Sequence, residues 1–331
     1  MSQVKPGESI QRALDEAGAG ATIELAAGTY AENVWIRHNG VTLTGAGAGR
    51  TVLVPGDSVP AGIPKLHDAA ADVVSGISLH GVGDVTIAGL SVRGSTGAGI
   101  YAHTVTGLTV RDVETAGNAV WGVYVRESSR CEVTGCTTSG SQYGGIAVSF
   151  CPEADGLVAD NESFANAFGI FVDNSSRVRV LRNSCHGNAA GLLMLNQTYE
   201  GEPDGGVRDC LVSGNDLYGN GLAAGGDAPD ALGAAGPPMS GVGLALIGTH
   251  RVSVVDNRIH DNHPSGESVM GAAFVMGSSK DWGGDDAVDN HILWNRVTGN
   301  SPLDHQLGVD LERQVCAGNT SDKGEPDGWG R

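Results

Sequence analysis

Apolar and polar residues alternate in short runs along this chain, and the runs themselves recur. Six segments share a Gly-apolar-x-apolar pattern: GISLH (76–80), GIYAH (99–103), GVYVR (122–126), GIAVS (145–149), GIFVD (169–173) and GLLML (191–195). Their glycines lie 23, 23, 23, 24 and 22 residues apart. GLALI (243–247), GAAFV (271–275) and GVDLE (308–312) continue the series at wider intervals. Period-two alternation marks a strand with one buried face, here carrying Ile77/Leu79, Ile100/Ala102, Val123/Val125, Ile146/Val148, Ile170/Val172 and Leu192/Met194. A second apolar strand follows in each repeat, at 85–87, 108–110, 131–133, 178–180, 210–212, 252–255 and 291–293. Next comes an N-x4-N spacing, present five times: Asn161/Asn166, Asn183/Asn188, Asn215/Asn220, Asn257/Asn262 and Asn295/Asn300. Leu90, Val113 and Cys136 hold the first of those positions in earlier repeats.

A coil of this length cannot bury its own inner face. Stacked coils can, because each strand then pairs with the coils above and below at about 4.8 Å. The pattern predicts a solenoid of about nine coils with every strand parallel. The ladder asparagines are expected at turns, where the residue type tolerates left-handed backbone. Their amides would bond the same amide one coil on. Near the N-terminus Ile10, Ala13, Leu14 and Ala17 have helical spacing, with Ser9 as N-cap and Gly18 as the stop, which predicts a helix that plugs the open end of the core. The chain reads as one domain over 1–331. Residues 1–55 form the cap and first strands, 76–318 the regular coils, and 319–331 a tail. Loop insertions fall at 196–208, 223–240 and 276–290, with a shorter one at 263–270.

These repeats, with the N-terminal stretch SIQRALDEAGAGATIELAAGTYAENVWI, resemble the right-handed parallel β-helix superfamily, often called pectin-lyase-like. The resemblance spans roughly residues 4–318. It implies an all-β, single right-handed parallel β-helix with an N-terminal capping helix. Because that superfamily holds lyases, hydrolases, epimerases, fructan-processing enzymes and non-catalytic binders, it implies no single activity. The paired-Asp constellation of pectin-type hydrolases, N-T-D then D-D then G-H-G, is missing, as is the D-P-H of alginate epimerases. No catalytic residue carries over by motif.

Composition narrows the partners. The 331 residues include 52 glycines, only 5% are aromatic, and the formal net charge is −18. Such a surface repels phosphate backbones and anionic lipid headgroups, so neither nucleic acid nor membrane is an expected partner. No apolar run is long enough to span a bilayer. The N-terminus lacks a signal-peptide core, and the six cysteines form no C-x-x-C pair. Free thiols and a cytoplasmic protein are therefore expected. The Gly-rich runs GAGAGR and GGDAPD lack phosphate-loop spacing.

Alternation also says which side chains of the first strand face outward: Ser78/His80, Tyr101/His103, Tyr124/Arg126, Ala147/Ser149, Phe171/Asp173, Leu193/Leu195, Ala245/Ile247 and Asp310/Glu312. The insertions leave and return beside this strand. That makes its outer face the expected groove, with Asp310/Glu312 at one end and the outward residues in contact with solvent. His103 and Asp173 are the candidate proton carriers, and Arg126 the candidate stabiliser of developing negative charge. Tyr101, Tyr124, Ser149, Phe171, Leu193, Leu195 and Asn196 are the candidate substrate contacts. Each has a plainer reading too: an outward His or Arg is commonly a solvated surface residue, and stacked aromatics commonly just cover a sheet. The chemistry implies no cofactor; the aspartates of DWGGDDAVDN suit calcium in composition but not in spacing. The expected function is an enzyme acting on a carbohydrate or polyhydroxylated substrate by general acid–base chemistry, of lyase, epimerase or glycosyl-transfer type. An isomerase or cyclase for a smaller, partly apolar metabolite is the first alternative, and a non-catalytic binding or structural solenoid the second.

Overall fold

A computed structural model describes residues 2–66, 73–198, 200–203, 205–226, 236–327 and 329. Among these, nearly all strands fall into three parallel sheets of 11, 12 and 11 members that run the length of a single solenoid. The first sheet holds the Gly-apolar-x-apolar segments, from Val34–Ile36 through Ile100–His103, Trp121–Arg126, Gly144–Ser149, Phe168–Asp173 and Ala190–Leu195 to Gly324–Glu325. Its register joins Ile77, Ile100, Val123, Ile146, Ile170, Leu192 and Leu244 in one inward column. All of these are buried in a continuous apolar core shared by the three sheets.

Eleven strands in the first sheet exceed the nine repeats legible in the sequence. Val34–Ile36 and Gly324–Glu325 pair in register but lack the Gly-apolar-x-apolar signature. Two other segments sit differently from their glycine alignment. Near the C-terminus the strand is His305–Leu307, whereas Asp310 caps a 3₁₀ turn at Leu311–Arg313. Asp310/Glu312 therefore lie off the sheet and do not end a groove. In the preceding coil Leu244 pairs with Phe274, a two-residue offset that leaves inward and outward positions unchanged. Not every strand is parallel: Ala224–Gly226 and Gly236–Met239 form an antiparallel pair within the 223–240 insertion, whose residues 227–235 lie outside the described ones.

Both asparagine columns are buried at corners of the coil. Asn161, Asn183, Asn215, Asn257, Asn295 and Asn319 form one ladder, in which each Oδ1 accepts from the backbone N–H of the preceding member and, for all but the first, from its Nδ2. Asn166, Asn188, Asn220, Asn262 and Asn300 form the other, which ends on Asp304. Asp304 suits that last place because it accepts four N–H groups, from Asn300 on one oxygen and from Asp322 and Lys323 on the other. The left-handed backbone lies one residue earlier than expected. Asp160, Arg182, Asp256 and Trp294 carry the positive φ and turn the chain. The asparagine after each then bonds across coils. The remaining corner carries shorter polar links, from Ser128 to Val105 and from Ser175 to Cys151.

Both ends are closed. Helix α1 (Ile10–Ala17) buries Ile10 and Leu14 against the first coil. Ser9 caps it, accepting from the Arg12 N–H at 3.1 Å, and Glu32 accepts from the N–H groups of Ile10 and Gln11. At the other end Trp329 packs on Phe274 and His305, with ring centroids 5.3 and 4.5 Å away. No helix among the described residues is long and apolar enough to cross a membrane.

Asn183→Ala should cost about 1–3 kcal/mol of stability, because it strips side-chain partners from the buried groups of Asn161, Asn215 and Val158. Asn183→Asp should not rescue it, since a carboxylate cannot donate to the Val158 carbonyl. Urea melts of both variants check this; wild-type stability in Asn183→Asp would show that the donor half of the ladder is dispensable.

Candidate functional site

Two columns of side chains leave the outer face of the first sheet. One runs Ser78, Tyr101, Tyr124, Ala147, Phe171, Leu193, Ala245; the other runs His80, His103, Arg126, Ser149, Asp173, Leu195, Ile247. The face is covered rather than open. Tyr101, Tyr124, Phe171, Leu193, Ala245 and Ile247 are buried in a second apolar cluster, separate from the inner core. Leu66 and Val73 cover it from the segment before the first regular coil, and Met239 covers it from the 223–240 insertion. Gly144 and Ala147 are small, so Trp121 reaches across their rung to stack on Phe171, with ring centroids 5.9 Å apart and planes 3° from parallel. The apolar middle of the expected groove is thus filled by the protein's own side chains, because the insertions close on the strand beside which they leave.

Polar groups are buried in the same face. Arg126, Ser149 and Asp173 sit on three consecutive rungs and are 3%, 1% and 3% exposed. None is the solvated surface residue that alternation alone suggests. The Arg126 guanidinium donates to the Tyr124 hydroxyl at 3.3 Å and to Glu127 at 3.1 Å, lies over the Phe150 ring at 4.6 Å, and donates to the Glu202 carboxylate. The Asp173 carboxylate accepts from Gln197 Nε2, 3.2 Å from each oxygen. His103 is half-buried, with Nε2 3.2 Å from Glu127. Asn196 donates to the Gly248 carbonyl at 3.2 Å, and Leu195 packs at the margin of the outer cluster.

Burial sets the protonation states. It pushes the Asp173 carboxyl up to about 7, against the opposing pull of Gln197 and Arg126. It pushes the Tyr124 phenol up to about 12, so this hydroxyl stays protonated at neutral pH. Burial lowers His103, against Glu127. Burial alone would lower Arg126 too, but Tyr124 and Glu202 beside it offset this and hold it above its ordinary value. A carboxyl balanced near neutrality, a neutral phenol and a cation are therefore buried together.

Gln197 and Glu202 come from the 196–208 insertion, and local sequence could not assign them to Arg126 and Asp173. Their one signal is that the insertion leaves directly after an outward polar column. The loop is pinned on two sides. Asn174, in left-handed backbone at φ 44°, exchanges bonds with the Gln197 backbone. Thr198 bonds Trp282 and Gly283 of the 276–290 insertion, at 3.1 and 2.8 Å. Between these loops a cleft of about 240 Å³ opens, lined by Asn174, Asn196, Gln197, Thr198, Glu202 and Asp285 among others. The aspartates suited to calcium by composition do not converge. Asp285 meets His250 at 3.3 Å, Asp289 meets Arg313 at 3.4 Å, and Asp286 meets Lys280. The cysteines outside the last coil are buried, and burial pushes Cys131 up to about 11 and Cys136, Cys151 and Cys210 to about 12.

A family model described as a right handed β helix region matches residues 75–233. No curated protein matches the chain in sequence. Similar solved structures include two mannuronan C-5 epimerase A-modules of Azotobacter vinelandii. The AlgE6 module is 19% identical with a TM-score of 0.68, over 96% of this chain and 89% of that one. The AlgE4 module is 20% identical with a TM-score of 0.66, over 98% and 96%. Pectate lyase Pel9A is 13% identical with a TM-score of 0.55, over 96% and 79%. At these identities the likeness is one of fold. With its three parallel sheets, asparagine ladders and capping helix, the chain is a right-handed parallel β-helix.

Proposed function

We propose that this protein is a carbohydrate-active enzyme that moves a proton next to a carbonyl or carboxylate, in the manner of a lyase or epimerase, at the Arg126–Tyr124–Asp173 cluster. The observation that carries this reading is the burial of a cation, a phenol and a carboxyl together on an otherwise apolar outer face. Desolvating such groups costs stability, and structural need does not explain them, since neighbouring rungs cover the same face with Leu193, Ala245 and Ile247. Similar folds carry epimerases, a pectate lyase and an α-1,3-glucanase, which supports a saccharide substrate. Asp173 is the group that takes or returns the proton, Arg126 holds the developing oxyanion, and Tyr124 donates a hydrogen bond or a proton from the side. His103, neutral and beside Glu127, orders the far edge of the cluster. In this reading substrate enters through the cleft beside Asn196 and Thr198 and displaces Gln197 and Glu202 from the two groups they hold.

A second reading has a specific observation behind it. The outer face is covered from Tyr101 through Ile247, and the cleft at its margin is small. A short or single-unit polyhydroxylated molecule, turned over by an isomerase or cyclase, fits that space better than a polymer lying along the sheet. A purely binding solenoid is the reading left if nothing is turned over.

Turnover of uronate and neutral glycans, followed by absorbance of unsaturated products and by proton NMR, separates these readings. On any substrate found, Asp173→Asn should lower kcat by about 10²–10⁴. Equal kcat in wild type and variant would remove Asp173 from the chemistry.

Glu202→Gln should lower KM several-fold at similar kcat, because it loosens the internal carboxylate from Arg126. A raised KM would instead make Glu202 a substrate contact.

Asp173 also fixes a sign in stability. Its folded value near 7 lies above the ordinary 3.8, so its favourable contribution is complete below about 3.8 and is lost as pH rises through 7. Asp173→Asn should therefore gain on wild type between pH 4 and pH 8, by up to a few kcal/mol. Chemical melts at the two pH values check this; a constant difference would mean that Asp173 is ionised throughout.

A further inference from the structure

On the outside of this solenoid, arginines meet carboxylates one coil away. Arg177 pairs with Asp155 at 2.6 Å, Arg182 with Asp160 at 2.7 Å, Arg251 with Asp209 at 2.7 Å and Arg313 with Asp289 at 3.4 Å. Near the C-terminal end of the third sheet this pairing is looser, with Arg258 facing Asp216 one coil back and Arg296 one coil on. There Arg258 and Arg296 hold the same register position on adjacent strands, Arg258–His260 and Arg296–Thr298. Two guanidinium side chains thus leave the sheet one rung apart, about 4.8 Å at the backbone. Like charges set directly opposite each other destabilise a sheet. Arg258 comes no nearer to Asp216 than 3.7 Å, with 63% of its side chain exposed. Arg296 is exposed as well.

Both arginines line a cleft of about 380 Å³, with His260, Thr298, Asp261 and Asp322. The two carboxylates face other partners: Asp261 lies 2.8 Å from His260 Nδ1, and Asp322 accepts from the Gly299 N–H at 3.3 Å. Leading away from the cleft on the same sheet, Phe164, His186, Tyr218 and His260 stack one ring per rung, with centroids 5.0 to 5.3 Å apart. In this stack His260 is held by Asp261 and Asp216 at 2.8 and 3.0 Å and His186 by Glu162 at 3.2 Å, and the Tyr218 phenol lies between the two imidazoles.

We propose that this cleft is an oxyanion site, separate from the Arg126 cluster, that takes the carboxylate or sulfate group of an acidic saccharide. Paired guanidinium forks match a planar or tetrahedral oxyanion. An anion between them would also offset the repulsion of two neighbouring guanidinium groups. On the next rungs the Tyr218 hydroxyl, and the carboxylates that hold His260 and His186, offer hydrogen-bond partners to the hydroxyls of adjoining sugar units. A bare anion has no use for that track; a glycan carrying the anion does. The chain's charge of −18 repels anions at long range, so a site for one needs such a local pair of cations.

Calorimetric titration of the full chain tests this with three probes at one ionic strength: a short oligouronate, the same oligosaccharide with its carboxyl groups reduced to alcohols, and inorganic sulfate. The oligouronate should bind, and Arg258→Gln and Arg296→Gln should each weaken it by about tenfold or more. The reduced oligosaccharide should show no binding that depends on these arginines. Melting temperatures of both variants should match or exceed wild type, since each removes a like-charge neighbour. Unchanged affinity in both variants overturns the proposal, and so does a clear drop in melting temperature, which would make the arginines structural. Sulfate that binds as tightly as the oligouronate overturns the saccharide part. Arg258 and Arg296 lie outside the Arg126 cluster, so loss of the activity proposed there, with this binding intact, would leave the two conclusions separable.

Discussion

Everything in this molecule depends on one constraint: each coil must find its hydrogen bonds in the coils above and below it. A coil of short strands exposes backbone N–H and C=O groups on both edges, and every corner that turns inward carries more. The strands satisfy theirs by parallel pairing across three sheets. At two corners the asparagine ladders do the same with side-chain amides, each accepting from one neighbour and donating to the next. An amide is the one short group with a donor and an acceptor placed to repeat this indefinitely. Where repetition ends, the requirement changes, and Asp304 closes its ladder with a group that only accepts.

The stacking that satisfies the backbone also fixes the site. Because register is maintained from rung to rung, outward residues form straight columns, and residues some 23 positions apart become neighbours. Arg126, Ser149 and Asp173 meet in this way, although they are distant in sequence. The columns alone would leave these groups in water. It is the insertions, folding back over the first sheet, that take them out of water and so raise Asp173 and Tyr124. The regular part of the fold supplies positions, and the irregular part supplies the dielectric environment that gives the positions chemistry.

The same division explains the two arginine environments. Arg126 is desolvated and matched by Glu202 from an insertion, a contact that only loop folding can make. Arg258 and Arg296 stay exposed on the third sheet, each the other's neighbour along the column. Arg126 is held by a buried carboxylate, whereas Arg258 has only the partly exposed Asp216 at 3.7 Å.

The sequence by itself determined the solenoid, its inward columns, both asparagine ladders, the capping helix and the alternation that sends His103, Arg126 and Asp173 outward. All of these follow from local periodicity, and a period repeated along the chain is visible without knowing what it touches. Tertiary structure decided which outward residues stay wet. Phe171 and Leu193, readable as a groove lining, became part of a second apolar cluster, while Arg126 and Asp173 became buried partners of Glu202 and Gln197. The glycine pattern also misplaced the last coil at 308–312, because a Gly-apolar-x-apolar string there competes with a turn that Asp310 caps. The reason is physical: inward burial is imposed by the repeat on every coil alike, whereas outward burial depends on where a few aperiodic loops close, and no periodicity encodes that.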